Sequence, residues 1–177
     1  AAPPPPREIT FIIDTSGSMG GESIRQARQS LAMAVQRLAP GDRFNVIEFN
    51  SVTNALFSHP VDATPANLAR ATNWVERLEA TGGTEMLPAL REALADHGNA
   101  DGRLRQVIFL TDGAIGNEQQ LFETISRNRK DARIFTVGIG SAPNSFFMSR
   151  AAELGQGTFT HIGNVDEVAA RMGALFT

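Results

Sequence analysis

Short apolar runs alternate with helical stripes along most of the chain. Residues 7–14, REITFIID, are apolar on both faces and rich in β-branched side chains, which predicts a strand buried on both sides. Ile24, Ala27, Arg28, Leu31, Val35 and Leu38 then fall at helical spacing, predicting a helix over 22–38 that APGD at 39–42 stops. Phe44, Val46 and Phe49 alternate, so 43–50 reads as a strand, and 54–58 follows closely enough to pair with it as an antiparallel edge. Thr64-Pro65 opens a helix running to about Leu78, with proline at its first position. After the loop TGGT at 81–84, the pattern predicts helices over 86–97, 118–130, 145–155 and 165–176. The same reading places strands at 105–113, 132–140 and 157–163.

Alternation of this kind predicts an α/β fold: a doubly wound, mainly parallel six-stranded sheet with one antiparallel edge strand and helices on both faces. The 177 residues suit one domain with one sizeable core. We read residues 7–177 as that domain and the proline-rich opening, AAPPPP at 1–6, as a linker from a preceding domain of a longer parent chain. Composition narrows the partners. Sixteen basic and 19 acidic residues form no basic block, which argues against nucleic acid. No apolar run approaches the ~20 residues that span a bilayer, so direct membrane insertion is not expected. With no cysteine in the chain, thiol and disulfide chemistry are excluded.

In doubly wound folds, sites lie beyond the carboxyl ends of the strands, where strand order reverses. Two predicted strands finish in an acid, FIID at Asp14 and FLTD at Asp112. The first opens DTSGS at 14–18, with hydroxyls at Ser16 and Ser18. Between the two in sequence stands Thr84, behind the flexible pair Gly82-Gly83. Brought together, Asp14, Ser16, Ser18, Thr84 and Asp112 offer hard oxygens with no nitrogen or sulfur. That set suits Mg²⁺ or Mn²⁺, admits Ca²⁺, and disfavours Zn²⁺ and Cu⁺.

On DTSGS at 14–18, GGT at 82–84 and TDG at 111–113, in that order, the sequence resembles the von Willebrand factor type A domain and its metal-ion-dependent adhesion site. PGDRFNVIEFN and GGTEM are most similar to the bacterial and inter-alpha-trypsin-inhibitor heavy-chain branch. The resemblance implies that Ser16, Ser18 and Thr84 bind the ion through hydroxyls, and that Asp14 and Asp112 act largely through bound waters. It also implies a protein-binding module rather than an enzyme, whose open coordination position takes a partner's Asp or Glu. An extracytoplasmic setting, at a cell surface or in a periplasm, is part of that expectation.

Other readings compete for the same residues. Taken alone, Ser16 and Ser18 also read as caps of the following helix, with Asp14 as a strand end. An EF-hand fails, with Met19 and Arg25 where glycine and glutamate are needed. A G-x-S-x-G elbow, a G-K-[ST] phosphate loop and a G-x-G-x-x-G fingerprint fail as well. A Mg²⁺-dependent hydrolase would use the same acids but lacks a neighbouring histidine or lysine base, and a structural spacer would carry a vestigial site. Glu85 reads as an acid in the first turn of a helix. His59, His97 and His161 read as surface or loop residues, and Trp74, Phe146 and Phe147 as packing.

Overall fold

The computed structural model describes residues 6–95, 102–141, 143–163 and 170. Seven strands form one sheet: β1 (Arg7–Asp14), β2 (Arg43–Phe49), β3 (Thr53–Ala55), β4 (Val61–Asp62), β5 (Leu104–Thr111), β6 (Arg133–Ile139) and β7 (Phe159–Ile162). Helices α1 (Glu22–Gln36), α2 (Pro65–Glu76), α3 (Met86–Leu94), α4 (Glu118–Asn128) and α5 (Ser145–Leu154) connect them. The predicted helix over 165–176 lies outside the described residues, as does nearly all of the predicted linker.

The strand order is β3-β2-β1-β5-β6-β7, with β4 also pairing to β2. Every pairing from β2 to β7 is parallel. This is the expected doubly wound sheet with its antiparallel edge, and the edge is richer than the hydrophobic pattern indicated. Residues 47–49 of β2 pair with β3, and Arg43 and Phe44 pair with β4. Between them the ladder is interrupted by a side chain. The Asn45 amide donates to the Phe57 carbonyl at 2.9 Å and accepts from the Phe57 N–H at 3.0 Å. Phe57 thereby leaves the strand path and buries its ring, edge-on to Phe44 at 5.8 Å between centroids. That is why the strand expected over 54–58 ends at Ala55.

Because both faces are covered, successive strand residues enter different cores. Ile9, Phe11 and Ile13 of β1 pack with Leu31 and Val35 of α1 and Val75 of α2. Ile12 faces the other way, into Leu90 of α3, Leu121 and Ile125 of α4 and Phe147 of α5. At ~25 cal/mol per Å² of apolar area removed from water, two continuous apolar layers are the main term holding the sheet. Asp14 and Asp112 come at the end of this architecture: β1 is the strand from which the chain order runs outward in both directions, and β5 is its neighbour.

Candidate metal centre

The register of β1 on β5 sets Ile13 beside Leu110, so the next residue on each strand, Asp14 and Thr111, meet at the strand ends. Asp14 is 0% exposed. Its Oδ2 accepts a 2.6 Å bond from the Thr111 hydroxyl, in the range of charge-assisted O–H···O⁻ bonds. Its Oδ1 accepts from the Ser16 N–H at 2.8 Å. Burial pushes the Asp14 carboxyl above the usual carboxylate range. Hydrogen bonds from Ser16 and Thr111 pull in the opposite direction, and the charge of Asp112 adds to the rise. A buried acid held above its ordinary value by desolvation and a second acid is a group that gains from a nearby cation.

After Asp14 the chain turns sharply. Ser16 begins a single 3₁₀ turn over Gly17–Met19, and the buried Met19 side chain anchors that turn in the core under α1. The Ser16 and Ser18 hydroxyls end 3.1 Å apart, Ser16 at 1% exposure and Ser18 open to solvent. Neither caps α1, whose N-cap position is Gly21 at φ 76°. The capping explanation of DTSGS therefore does not hold in the structure.

The loop carrying Thr84 is latched to this turn by backbone. Thr81 N–H donates to the Thr15 carbonyl at 2.8 Å, and Gly17 N–H donates to the Gly82 carbonyl at 3.0 Å. Thr84 is half-buried, and its hydroxyl makes no hydrogen bond to another of the described residues. Glu85 sits at the N-cap position of α3 without a side-chain capping bond. Asp112 follows β5 directly. Its carbonyl accepts from Asn144 N–H at 2.9 Å, and its Oδ1 accepts from Ala114 N–H at 3.0 Å. Gly113, at φ 75°, then turns the chain away: a Cβ there would lie 2.9 Å from Asn144 Cβ.

The structure thus joins Asp14, Ser16 and Ser18 into one cluster, sets Asp112 within electrostatic reach of Asp14, and docks the Thr84 loop on the DTSGS turn. The donor set is all oxygen. Among the described residues no group of three or more His, Asp or Glu side chains gathers as a metal site, so any ion here depends on hydroxyls. Hard, mostly neutral donors with two acids close by fit a hard divalent cation.

Several positions around the cluster were given no role by the hydrophobic pattern or the motif spacing, although Thr15 and Thr111 lie inside DTSGS and TDG. Thr111 bonds Asp14, Thr15 donates to Glu48 Oε2 at 2.9 Å, and Asn50 donates to Thr15 Oγ1 at 3.2 Å. Their only signal in the sequence is a hydroxyl or amide at a strand end. Phe146 departs from its expected packing role: it is 71% exposed, whereas Phe147 is buried at 3% and stacks on Phe122. Trp74 packs against the core as expected. His161 is exposed on β7 with Nε2 2.8 Å from the Gly140 carbonyl oxygen.

A doubly wound sheet with acids and hydroxyls gathered at the ends of its two central strands defines a Rossmann-like α/β domain with an oxygen-only site at its switch point. The chain belongs to the von Willebrand factor type A domain family, whose model matches residues 7–161. It is 34% identical over 135 residues to a von Willebrand factor A domain-containing protein of Dictyostelium discoideum, covering 76% of this chain and 14% of that protein. It is also 34% identical over 160 residues to inter alpha-trypsin inhibitor heavy chain 4 of Mus musculus, covering 82% of this chain and 17% of that protein. The chain therefore corresponds to a small part of these relatives. Among solved structures, a von Willebrand factor type A protein from Catenulispora acidiphila superimposes with a TM-score of 0.86 at 24% identity, covering 96% of this chain and 42% of that one. Proximal thread matrix protein 1 of the mussel byssus, with a zinc-occupied MIDAS motif, superimposes at 0.76 with 18% identity, covering 96% and 44%. No helix among the described residues is long and apolar enough to cross a membrane.

Proposed function

We propose that this domain is a protein-binding module that holds a divalent cation, Mg²⁺ or Mn²⁺ in preference, and receives an Asp or Glu carboxylate from a partner. Ser16, Ser18 and Thr84 would supply hydroxyl oxygens, and Asp14 and Asp112 would balance the charge from slightly further out. The ion would supply a Lewis-acidic position for the incoming carboxylate. The observation that carries this reading is the buried Asp14, held between the Ser16 N–H and the Thr111 hydroxyl within reach of a second acid. Neutral hydroxyls leave a bound ion's charge poorly quenched, which favours an external anion over another internal ligand.

The surroundings of the cluster support a protein partner. Of the three exposed large apolar side chains among the described residues, two lie in segments that are bonded to the cluster's loops. Val52, 59% exposed, is next to Ser51, which bonds the Thr84 loop, and Phe146 lies two residues beyond Asn144, which bonds Asp112. An acidic side chain set between apolar neighbours on a partner would meet both. The zinc-occupied motif of the mussel protein weighs against strict exclusion of zinc from sites of this type, so the preference for Mg²⁺ and Mn²⁺ is one of degree. Mn²⁺ titration followed by NMR tests the reading. Paramagnetic broadening is expected to centre on residues 14–20, 82–85 and 112–114, with Zn²⁺ competing less well than Mg²⁺ at equal concentration. Broadening centred on the histidines would refute it.

A further inference from the structure

The end of β2 contributes nothing to the acid-and-hydroxyl motif, yet it grips both segments that carry it. On one side, Thr15 N–H donates to the Phe49 carbonyl at 2.9 Å, and the Thr15 hydroxyl donates to Glu48 while accepting from Asn50. On the other side, the two residues flanking Thr84 are pinned by consecutive residues of β2's extension. Gly83 N–H donates to Ser51 Oγ at 2.8 Å, and Glu85 N–H donates to the Asn50 carbonyl at 2.8 Å. Contact is close enough to dictate sequence: at Gly82, φ 74°, a Cβ would lie 2.9 Å from Ser51 Oγ. Glycine is needed there both for its left-handed backbone and for the space the serine occupies.

We infer that Ser51 is a positioning residue for the cation: its hydroxyl holds the Gly83 N–H and so fixes where the Thr84 oxygen stands relative to Ser16 and Ser18. This rests on the proposed metal-binding reading and deepens it. Of the two straps beside Thr84, the Asn50 one runs through a backbone carbonyl, so Ser51 supplies the strap that a side-chain substitution can remove. Ser51 is exposed, so losing its hydroxyl leaves Gly83 N–H to water and opens no cavity. Its effect belongs to the geometry of the loop rather than to the stability of the fold. Groups that orient metal ligands from one bond away commonly alter affinity by 10-fold or more when removed.

The test measures Mn²⁺ affinity of the domain by water-proton relaxation for wild type, Ser51→Ala, Ser51→Thr and Thr84→Ala. Melting in EDTA and amide exchange at Gly83 are measured on the same samples. Ser51→Ala is expected to bind Mn²⁺ about 10-fold more weakly, to melt in EDTA within a degree or so of wild type, and to exchange its Gly83 amide faster. Ser51→Thr, which keeps the hydroxyl, should restore both affinity and protection. Wild-type affinity in Ser51→Ala, with Thr84→Ala weakened, would overturn the positioning role and leave the metal reading intact. A wild type that binds no Mn²⁺ would overturn the metal reading and this inference together. A fall in melting temperature matching the loss of affinity would show Ser51 to be merely structural.

Discussion

Asp14 shows how far a single residue's chemistry depends on its surroundings. A carboxylate at the end of a strand is ordinary; one at 0% exposure, bonded by Thr111 and Ser16 and repelled by Asp112, is not. Its folded-state value is raised, so between the unfolded and folded values the native state binds the extra proton. In the metal-free domain, the stability tied to this proton is therefore present below the unfolded value and lost as pH rises through the folded one. Metal binding has the opposite sign, because the ion requires the carboxylate, and its stabilising effect should fade as pH drops through the same range. Asp14→Asn keeps an acceptor for the Ser16 N–H and removes the charge. It is expected to raise the metal-free melting temperature at pH 7 by a few degrees, at roughly 2–4 °C per kcal/mol for a domain of this size, to flatten the pH dependence, and to abolish the response to Mg²⁺. Melting curves from pH 4 to 8, with Mg²⁺ or EDTA, decide it. A variant that melts below wild type in EDTA at pH 7 would show that the carboxylate's hydrogen bonds outweigh its burial.

At the scale of elements, the turn after β5 and the start of α5 form one unit joined by Asn144. Its Oδ1 caps α5 by accepting from Phe147 N–H at 3.1 Å, its Nδ2 donates to the Gly113 carbonyl at 3.1 Å, and its own N–H donates to the Asp112 carbonyl. Asn144→Ala loses the cap and the Gly113 bond together, an expected loss of about 1–2 kcal/mol that denaturant unfolding would measure. Asn144→Ser keeps a capping oxygen and should recover about half. Equal stability of the two variants would mean that the cap contributes little. The neighbouring Phe146 belongs to the same element but to a different role. Phe146→Ser should leave the melting temperature nearly unchanged, since the ring is 71% exposed, while weakening capture of any partner that binds through the metal face.

For the whole molecule, the proposed ligands span about 100 residues of sequence and meet only in the folded chain. A cation should therefore bind the native state and hardly the unfolded one. At ~10 times its dissociation constant it adds RT ln(1 + 10), about 1.4 kcal/mol, which is a rise of roughly 3–6 °C in melting temperature. Calorimetry with millimolar Mg²⁺ and Mn²⁺ measures this, and an unchanged melting temperature in both would remove the basis for the proposed function. At the opposite end of the sheet, Arg105 and Glu8 form a nearly buried ion pair at 3.6 Å, and Arg105 also reaches the carbonyls of Leu94 and Ala95. Glu8 is thus paired within the fold at the amino ends of the strands, whereas Asp14 and Asp112 at the carboxyl ends face each other's charge.

Much of this was legible in the chain itself. The central stretches of REITFIID and RQVIFLTD are apolar on both faces, and their alternation with helical stripes indicated the doubly wound class. Asp14, Ser16, Ser18, Thr84 and Asp112 named the candidate site because three separate segments, DTSGS, GGT and TDG, occur together in that order; any one of them alone is ordinary. What the tertiary structure decided was everything that depends on contact across the sheet. The strand at 54–58 stopped early because the Asn45 amide captured Phe57, an interaction 12 residues apart that no local pattern encodes. Phe146 and Phe147 are identical side chains on one helix, and only the packing of α5 on α4 determined which is buried. Thr111, Asn50 and Ser51 bond Asp14, Thr15 and Gly83 across 97, 35 and 32 residues of sequence, which only the packed elements bring together. Periodicity reports how a residue faces its own element. Which polar groups from distant segments come within 3 Å of one another is set only when the elements pack.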